Sequence, residues 1–324
     1  MNLFIKKSAE ELLKEAENDG GRGLKRVLGP GGLIALGVGV IIGAGLFSVT
    51  GIVAGAHTGP AIVISFALAA VACALCGLCY AEFASMLPVS GSAYTYSYFT
   101  MGELVAWIIG WDLVLEYTVA SVAIAISWSK YFSIMLQGIG YPLPIEWTAC
   151  PSEGGLFNVP AMLLVVLLSC ILMRGTAGSS KFNDLMVALK ITVVLAFIFI
   201  GFKYIRAENL TPFVPENTGV FGEYGWSGVL RGAAIVFFAY IGFDAVSTAA
   251  QETKNPRRNM PIGILGSLLV CSILYMVFSF VMTGVVDYHA YIGAESIAPA
   301  ATAVANMGPI GPDGVVVPAY PWLN

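Results

Sequence analysis

The chain has 324 residues, 57% of them hydrophobic and only 11% charged, with a net charge of −4 and a mean hydropathy of +0.81. A soluble domain is about one quarter charged, so this composition cannot cover a water-facing surface and instead marks an integral membrane protein. The balance of charge, with no large basic domain, argues against nucleic-acid binding.

The chain opens on about 30 polar residues with five acidic groups, which is the wrong pattern for a cleaved leader. Ser8-Ala9-Glu10-Glu11 fits a capping box for a short amphipathic helix. Segment 1–30 thus reads as a cytoplasmic N-terminal segment. Seven apolar stretches of spanning character follow, near 32–54, 61–80, 102–136, 157–173, 185–202, 228–250 and 262–286. The third is long enough to tilt strongly or to project from the bilayer. Eleven of the sixteen Lys and Arg fall on the side of the N-terminus when the stretches alternate across the membrane, and four fall opposite. This bias predicts a cytoplasmic N-terminus and a multi-pass protein of the plasma (inner) membrane. After residue 286 the chain turns to Gly, Pro and Ala and carries no further span.

Cys73, Cys76 and Cys79 lie near one helix face. With no further ligand nearby they read as small-residue packing rather than a metal site. Cys150, in the loop after the third stretch, reads as a free thiol or as half of a disulfide to a partner chain. No cofactor, metal set or nucleophile–base motif appears, so the chain reads as something other than an enzyme.

Two stretches look broken. The first carries GVGVIIGAGLF, and each helix-interior glycine costs about 1 kcal/mol against alanine. Gly43-Ala44-Gly45 is therefore a candidate break, with close helix packing as the plain alternative. The sixth reads FFAYIGFDAVST over 237–248, with Gly242 two residues before Asp244. A carboxylate at that depth must face protein or water. Stretches five apart cross the membrane in opposite directions. Paired breaks in antiparallel halves are the mark of an inverted-repeat carrier. Half-helix N-termini suit a carboxylate, and freed carbonyls suit a cation, so together they suit a zwitterion such as an amino acid.

Four further charges stand out. Asp112 and Glu116 share a face of the third stretch. Glu116 lies about 20 Å along the helix from Met101, too deep to snorkel. It reads as a substrate or proton contact, or as a carboxyl bonded to a neighbouring helix. Lys190 sits in LMVALKITVVLAF, about 7–8 Å from Leu185. Its stem can reach the inner face, or its amine can serve as a proton carrier or fixed cation. Glu252, beside Lys254, Arg257 and Arg258, reads as an ion-pair cluster and possible gate, or as a solvated loop.

The stretches IIGAGLFSVTG at 41–51, YAEFASMLPVSGSAYTYSYFTMGELVAWIIGWDLVLEY at 80–117 and FFAYIGFDAVSTAAQETKNPRRNMPIGI at 237–264 resemble the amino acid–polyamine–organocation permeases. The likeness is to the cationic amino acid transporter-like branch. It implies an all-α LeuT-like inverted-repeat transporter fold, with the first and sixth helices interrupted. In those terms 31–202 is the first five-helix repeat, 203–227 an outer loop, 228–286 the first two helices of the second repeat, and 287–324 a further outer loop. The resemblance implies that Ile42, Gly43, Ala44 and Gly45 bind the substrate carboxylate and that Phe237, Phe238, Ala239 and Ile241 bind its amino group. Glu116 matches a carboxylate near the side-chain pocket, and Lys190 a lysine that replaces sodium in proton-coupled relatives. Asp112, Tyr240, Asp244 and Glu252 are candidate pocket or gate residues. The family core has ten helices, so the chain reads as C-terminally incomplete: either it is a fragment or another chain supplies the rest. The expected activity is secondary transport of cationic or small neutral amino acids, by proton symport or exchange. The alternative is a truncated, transport-inactive subunit or amino-acid sensor.

Overall fold

The computed structural model describes residues 6–8, 10–12, 14, 26–151, 154–173, 176–293, 297–309 and 316–319, with side chains of 176–184 outside that description. Arg22, Lys25 and Arg174, which enter the charge bias, also lie outside it, as does the side chain of Lys181. The helices are α1 Pro30–Ile41, α2 Ile62–Met86, α3 Ser92–Thr100, α4 Glu103–Gly138, α5 Val159–Met173, α6 Thr176–Gly201, α7 Gly225–Val236, α8 Pro256–Val285 and α9 Pro299–Ala305. Shorter helical turns join several of them. All seven apolar stretches are helical over most of their length. Among the described residues, five helical segments are long and apolar enough to cross a membrane: Gly45–Met86, Glu103–Gly138, Leu185–Tyr204, Gly225–Glu252 and Pro256–Val285. Pro30–Ile41 and Val159–Met173 are shorter apolar helices. The protein is a multi-pass, all-helical membrane protein.

α4 has 36 residues, about 54 Å at 1.5 Å per residue, and therefore exceeds the hydrocarbon thickness of about 30 Å. Trp107, Val114, Leu115 and Val122 on α4 and Leu163, Val166 and Leu167 on α5 are exposed. Apolar surface on this scale suits lipid and not water.

Contacts divide the chain into two units interleaved in sequence. The first holds residues 1–42, 67–119 and 237–273, and the second 43–66, 120–236 and 274–324. In the first unit α1 packs on α8 through small residues. A Cβ on Gly37 would lie 2.5 Å from Ser267, one on Gly263 2.6 Å from Leu33, and one on Gly266 2.8 Å from Ile34. Gly77 of α2 meets Leu268 in the same way, at 2.7 Å. Lipid supplies no hydrophobic drive between helices, so close backbone approach at small residues is the main source of packing energy. Cys73 is buried in this unit, while Cys76 and Cys79 are exposed, and all three are free thiols.

The N-terminal segment also belongs to the first unit. Ser8 and Glu11 form the reciprocal pair of a capping box. The Ser8 N–H donates to the Glu11 carboxylate at 2.8 Å, and the Glu11 N–H to Ser8 Oγ at 3.2 Å. Residues 10–12 and 14 are helical. Farther on, the N–H groups of Val27 and Leu28 both donate to Glu252 O, at 2.9 and 3.0 Å, and Lys254 N–H returns a bond to Leu28 O at 2.9 Å.

In the second unit the segment after the first interruption packs on α7. Cβ atoms on Gly228 and Gly232 would run into His57 O and Thr58. Ser65 Oγ donates to Val229 O at 2.9 Å, and Tyr224 N–H to His57 O at 2.8 Å. The Phe278 ring lies 6.2 Å from Phe47 and 4.6 Å from Phe197. Tyr291, in the loop after α8, is wholly buried and donates to Met282 O at 2.9 Å. Burial pushes its phenol pKa upward.

Candidate substrate and coupling sites

α1 stops at Ile41 because Ile42 turns extended, with φ −69° and ψ 109°. Helix resumes as a π-helical turn, Gly45–Val49. An extended residue cannot continue the i→i−4 ladder, so the last carbonyls of one half and the first N–H groups of the next lose their ordinary partners. Gly43 O accepts from Leu46 and Phe47 N–H at 3.1 and 3.3 Å, and Gly45 O accepts from Thr50 Oγ1 at 3.1 Å. In the second unit Tyr131 donates to Phe47 O at 2.7 Å. The side chain of Ile42 is buried.

The second interruption is longer. α7 ends at Val236, Phe237–Tyr240 is a 3₁₀ turn, and regular helix returns only as the four-residue turn Ala245–Thr248. Between them Gly242 has φ +109°, and a Cβ there would lie 2.7 Å from Val40 Cγ1. Phe238 O accepts from Ile241 N–H at 3.3 Å. Phe237 is 37% exposed, whereas Ala239 and Tyr240 are buried. Both interruptions coincide with unit boundaries, at 42/43 and 236/237, while the other boundaries fall inside α2, α4 and α8.

Asp244 is 6% exposed. Its carboxylate does not cap the turn that it precedes. Instead it accepts from Ser92 Oγ at 3.0 Å and from the Tyr117 hydroxyl at 3.2 Å. Two hydroxyl donors satisfy a charge that would otherwise be costly in the membrane. Ser92 has φ +49°, a left-handed conformation that costs an L-residue about 1–2 kcal/mol. Around this centre Tyr80 meets Phe243 at 5.5 Å and Tyr96 at 6.1 Å, and Phe83 stacks on Tyr96 at 5.1 Å. The buried hydroxyls of Tyr96 and Ser247 have no hydrogen-bond partner among the described residues.

Sequence reasoning singled out Asp244 but missed Ser92 and Tyr117 as its partners. The signal was the Ser-Gly-Ser run at 90–92, which sets a turn with Gly91 at φ +126°. Glu116, in the same unit, is half-buried and accepts no hydrogen bond from a described residue, while Asp112 is exposed. Of the two readings open at Glu252, an ion-pair cluster or a solvated loop, the described residues fit the loop. Lys254, Arg257 and Arg258 are exposed, and Glu252 acts through its backbone carbonyl on Val27 and Leu28. The three cations stand along the start of α8, where water solvates them better than one carboxylate does. Lys190 lies half-buried on α6 in the second unit.

A family model described as amino acid permease matches residues 28–312. The chain belongs to the amino acid permease family. It is 48% identical over 299 residues to the branched-chain amino acid permease BcaP of Bacillus subtilis, covering 91% of this chain and 62% of that protein. It is 46% identical over 289 residues to the methylthioribose transporter of the same organism, covering 89% of this chain and 60% of that protein. The vacuolar cationic amino acid transporter 4 of Arabidopsis thaliana is 38% identical over 290 residues, covering 89% of this chain and 48% of that protein. The chain thus spans less than two thirds of the length of these relatives.

Proposed function

We propose that the protein is a secondary active transporter of amino acids. The observation that carries this reading is the pair of interruptions, at Ile42–Gly43 and Phe237–Asp244, in a chain of a permease family. Ile42, Gly43, Ala44 and Gly45 take the substrate carboxylate on the half-helix that begins at Gly45. Backbone carbonyls of Phe237, Phe238, Ala239 and Ile241 take the amino group, while Tyr240 and Asp244 shape the segment that holds them. The two segments belong to a first five-helix repeat over 31–202 and to the opening helices of an inverted second repeat over 228–286.

In this reading Lys190 carries the coupling proton, and its charged form acts as a fixed cation on the fifth span. Transport is symport with protons or exchange, across the plasma membrane, with the N-terminus cytoplasmic. The relatives are named for branched-chain amino acids, cationic amino acids and methylthioribose. The names support a carrier and not an enzyme, and they do not favour the transport-inactive alternative. Substrates in this reading are cationic or small neutral amino acids, with Glu116 near the substrate side chain.

The test is uptake into proteoliposomes of labelled leucine, arginine and methylthioribose, with and without an inward proton gradient. Saturable, gradient-driven uptake of an amino acid is expected, and Lys190→Ala removes the dependence on the gradient while leaving binding. Uptake of methylthioribose alone would overturn the substrate class. Gradient-driven uptake that survives Lys190→Ala would overturn the coupling role. Glu116→Gln lowers arginine uptake more than leucine uptake if the carboxylate reads a cationic side chain.

A further inference from the structure

A cavity of about 440 Å³ lies in the second unit, and none of the described residues that line it is assigned to transport. Its wall includes Ile126, Lys130 and Ser133 of α4, Thr148 and Cys150 of the loop after it, and Asn158 before α5. This is within the size range of a small-ligand pocket, about 300–1,000 Å³.

Among the described residues of the wall, Lys130 is the side chain whose donors are uncommitted. Ser133 Oγ donates to Ser129 O at 2.8 Å, Thr148 Oγ1 to Pro144 O at 3.3 Å, and Asn158 Nδ2 to Thr148 O at 3.0 Å. Asn158 Oδ1 is also engaged, accepting from Ser129 Oγ at 2.6 Å and from Ala161 N–H at 3.1 Å. Lys130 is half-buried and makes no hydrogen bond or ion pair with a described residue. No carboxylate is among the described residues of the wall. A partly desolvated ammonium facing a cavity with no acidic partner among the described residues selects an anion, because the attraction strengthens as water is excluded.

The depth of the cavity is marked by its neighbours. Trp128 stacks on Phe132 at 4.9 Å, and Trp128, Tyr141 and Trp147 are all exposed. Exposed Trp and Tyr at the end of a spanning helix sit at the membrane–water interface, where one edge is apolar and the other wet. Ile126 and Ile145, which also line the cavity, are exposed apolar side chains. The cavity therefore combines a cation, an apolar wall and headgroup depth. These features hold whichever side of the membrane this end of α4 faces.

We propose that the cavity is a binding site for the phosphate headgroup of an anionic phospholipid, held by Lys130. The phosphate takes the ammonium, and the glycerol end and first acyl carbons lie against Ile126 and Ile145.

Cys150, an exposed thiol on the cavity wall, reports occupancy. The exposed Cys76, Cys79 and Cys170 are replaced by Ser, and the chain is placed in nanodiscs of phosphatidylcholine with or without phosphatidylglycerol. The maleimide labelling rate of Cys150 is then measured. Phosphatidylglycerol slows labelling severalfold, Lys130→Gln abolishes the protection, and Lys130→Arg retains it. Equal rates in the two lipids would overturn the proposal with no variant needed, as would protection that persists in Lys130→Gln. Inorganic phosphate or leucine is added to the phosphatidylcholine discs as separate arms. Protection by phosphate alone assigns the site to a soluble anion and overturns the lipid source. Protection by leucine alone overturns it in favour of an amino acid carboxylate.

Discussion

At the first interruption none of Gly37, Gly39, Gly43 and Gly45 has a positive φ, and the residue that leaves the helix is Ile42 with ψ 109°. At the second, Gly242 stands at φ +109° with Val40 Cγ1 only 2.7 Å from where a Cβ would be. The two breaks look alike in sequence, each marked by glycine in an apolar run, but they are held differently. An extended residue is open to any side chain, so the first break is kept by its surroundings and can rewind at modest cost. A positive φ with no room for Cβ admits glycine alone, so the second break is written into the backbone. The first interruption is therefore the one whose backbone can change with less strain.

The largest expected effect is at Gly242. Gly242→Ala adds backbone strain of about 1–3 kcal/mol and overpacking of about 1–3 kcal/mol. The melting temperature in detergent falls sharply, or folded protein is lost. Adding Val40→Ala relieves the contact but not the φ, so rescue is partial. Gly43→Ala behaves oppositely. A negative φ accepts Cβ, and alanine favours helix by up to about 1 kcal/mol, so stability holds or rises while uptake falls. Equal losses from the two alanines would end the contrast.

Next in size is the polar support of each break. The second is tied by a carboxylate and the first by a neutral hydroxyl, and hydrogen bonds to a charged group are roughly twice as strong. Asp244→Ala strands the hydroxyls of Ser92 and Tyr117 and costs about 1–3 kcal/mol. Asp244→Asn costs less, because it keeps an acceptor. Tyr131→Phe removes the donor to Phe47 O and costs about 1 kcal/mol. Thermal unfolding orders these variants. A double-mutant cycle of Tyr117→Phe with Asp244→Asn gives a coupling of about 0.5 kcal/mol or more if the bond at 3.2 Å is made in the membrane.

The spans, the second break and the capping box were legible because each has a local cause. Apolar length, the glycine at 242 and the Ser8–Glu11 spacing all act within a few residues, whereas at the first break the residue that leaves the helix is Ile42 and not a glycine. Asp244 was also legible as a buried charge that needed company. Its partners were not, because Ser92 lies 152 residues and Tyr117 127 residues away. Nothing in the spacing of these hydroxyls marks them as donors to the sixth span. Glu252 was read through its charge, whereas its structural contact is a backbone carbonyl that any residue supplies. The same limit hides the Lys130 cavity, whose wall joins α4 to a loop and to residues beyond α8. Long-range polar partners and cavities arise from packing, and a single sequence records packing only as small residues.

The smallest effect lies in the N-terminal segment, away from both breaks. Bonds from the backbone N–H and hydroxyl of Ser8, which stabilise its charged form, hold the Glu11 carboxyl below the ordinary carboxylate range. A depressed folded value means that the capping box is complete at neutral pH and is lost as pH falls through that lowered value. Protection of the Ser8 amide, measured as its exchange rate relative to the intrinsic rate at the same pH, is therefore highest at neutral pH and is lost on acidification. Glu11→Gln keeps an acceptor but removes the pH dependence, and Ser8→Ala leaves the Glu11 N–H without its cap. The pair is fully exposed, so neither change moves the melting temperature of the spans. A shift there comparable to that of Tyr131→Phe would mean that this segment is tied to the membrane core. The Lys7 ammonium, 5.4 Å from the Tyr98 ring, is then the contact to remove next.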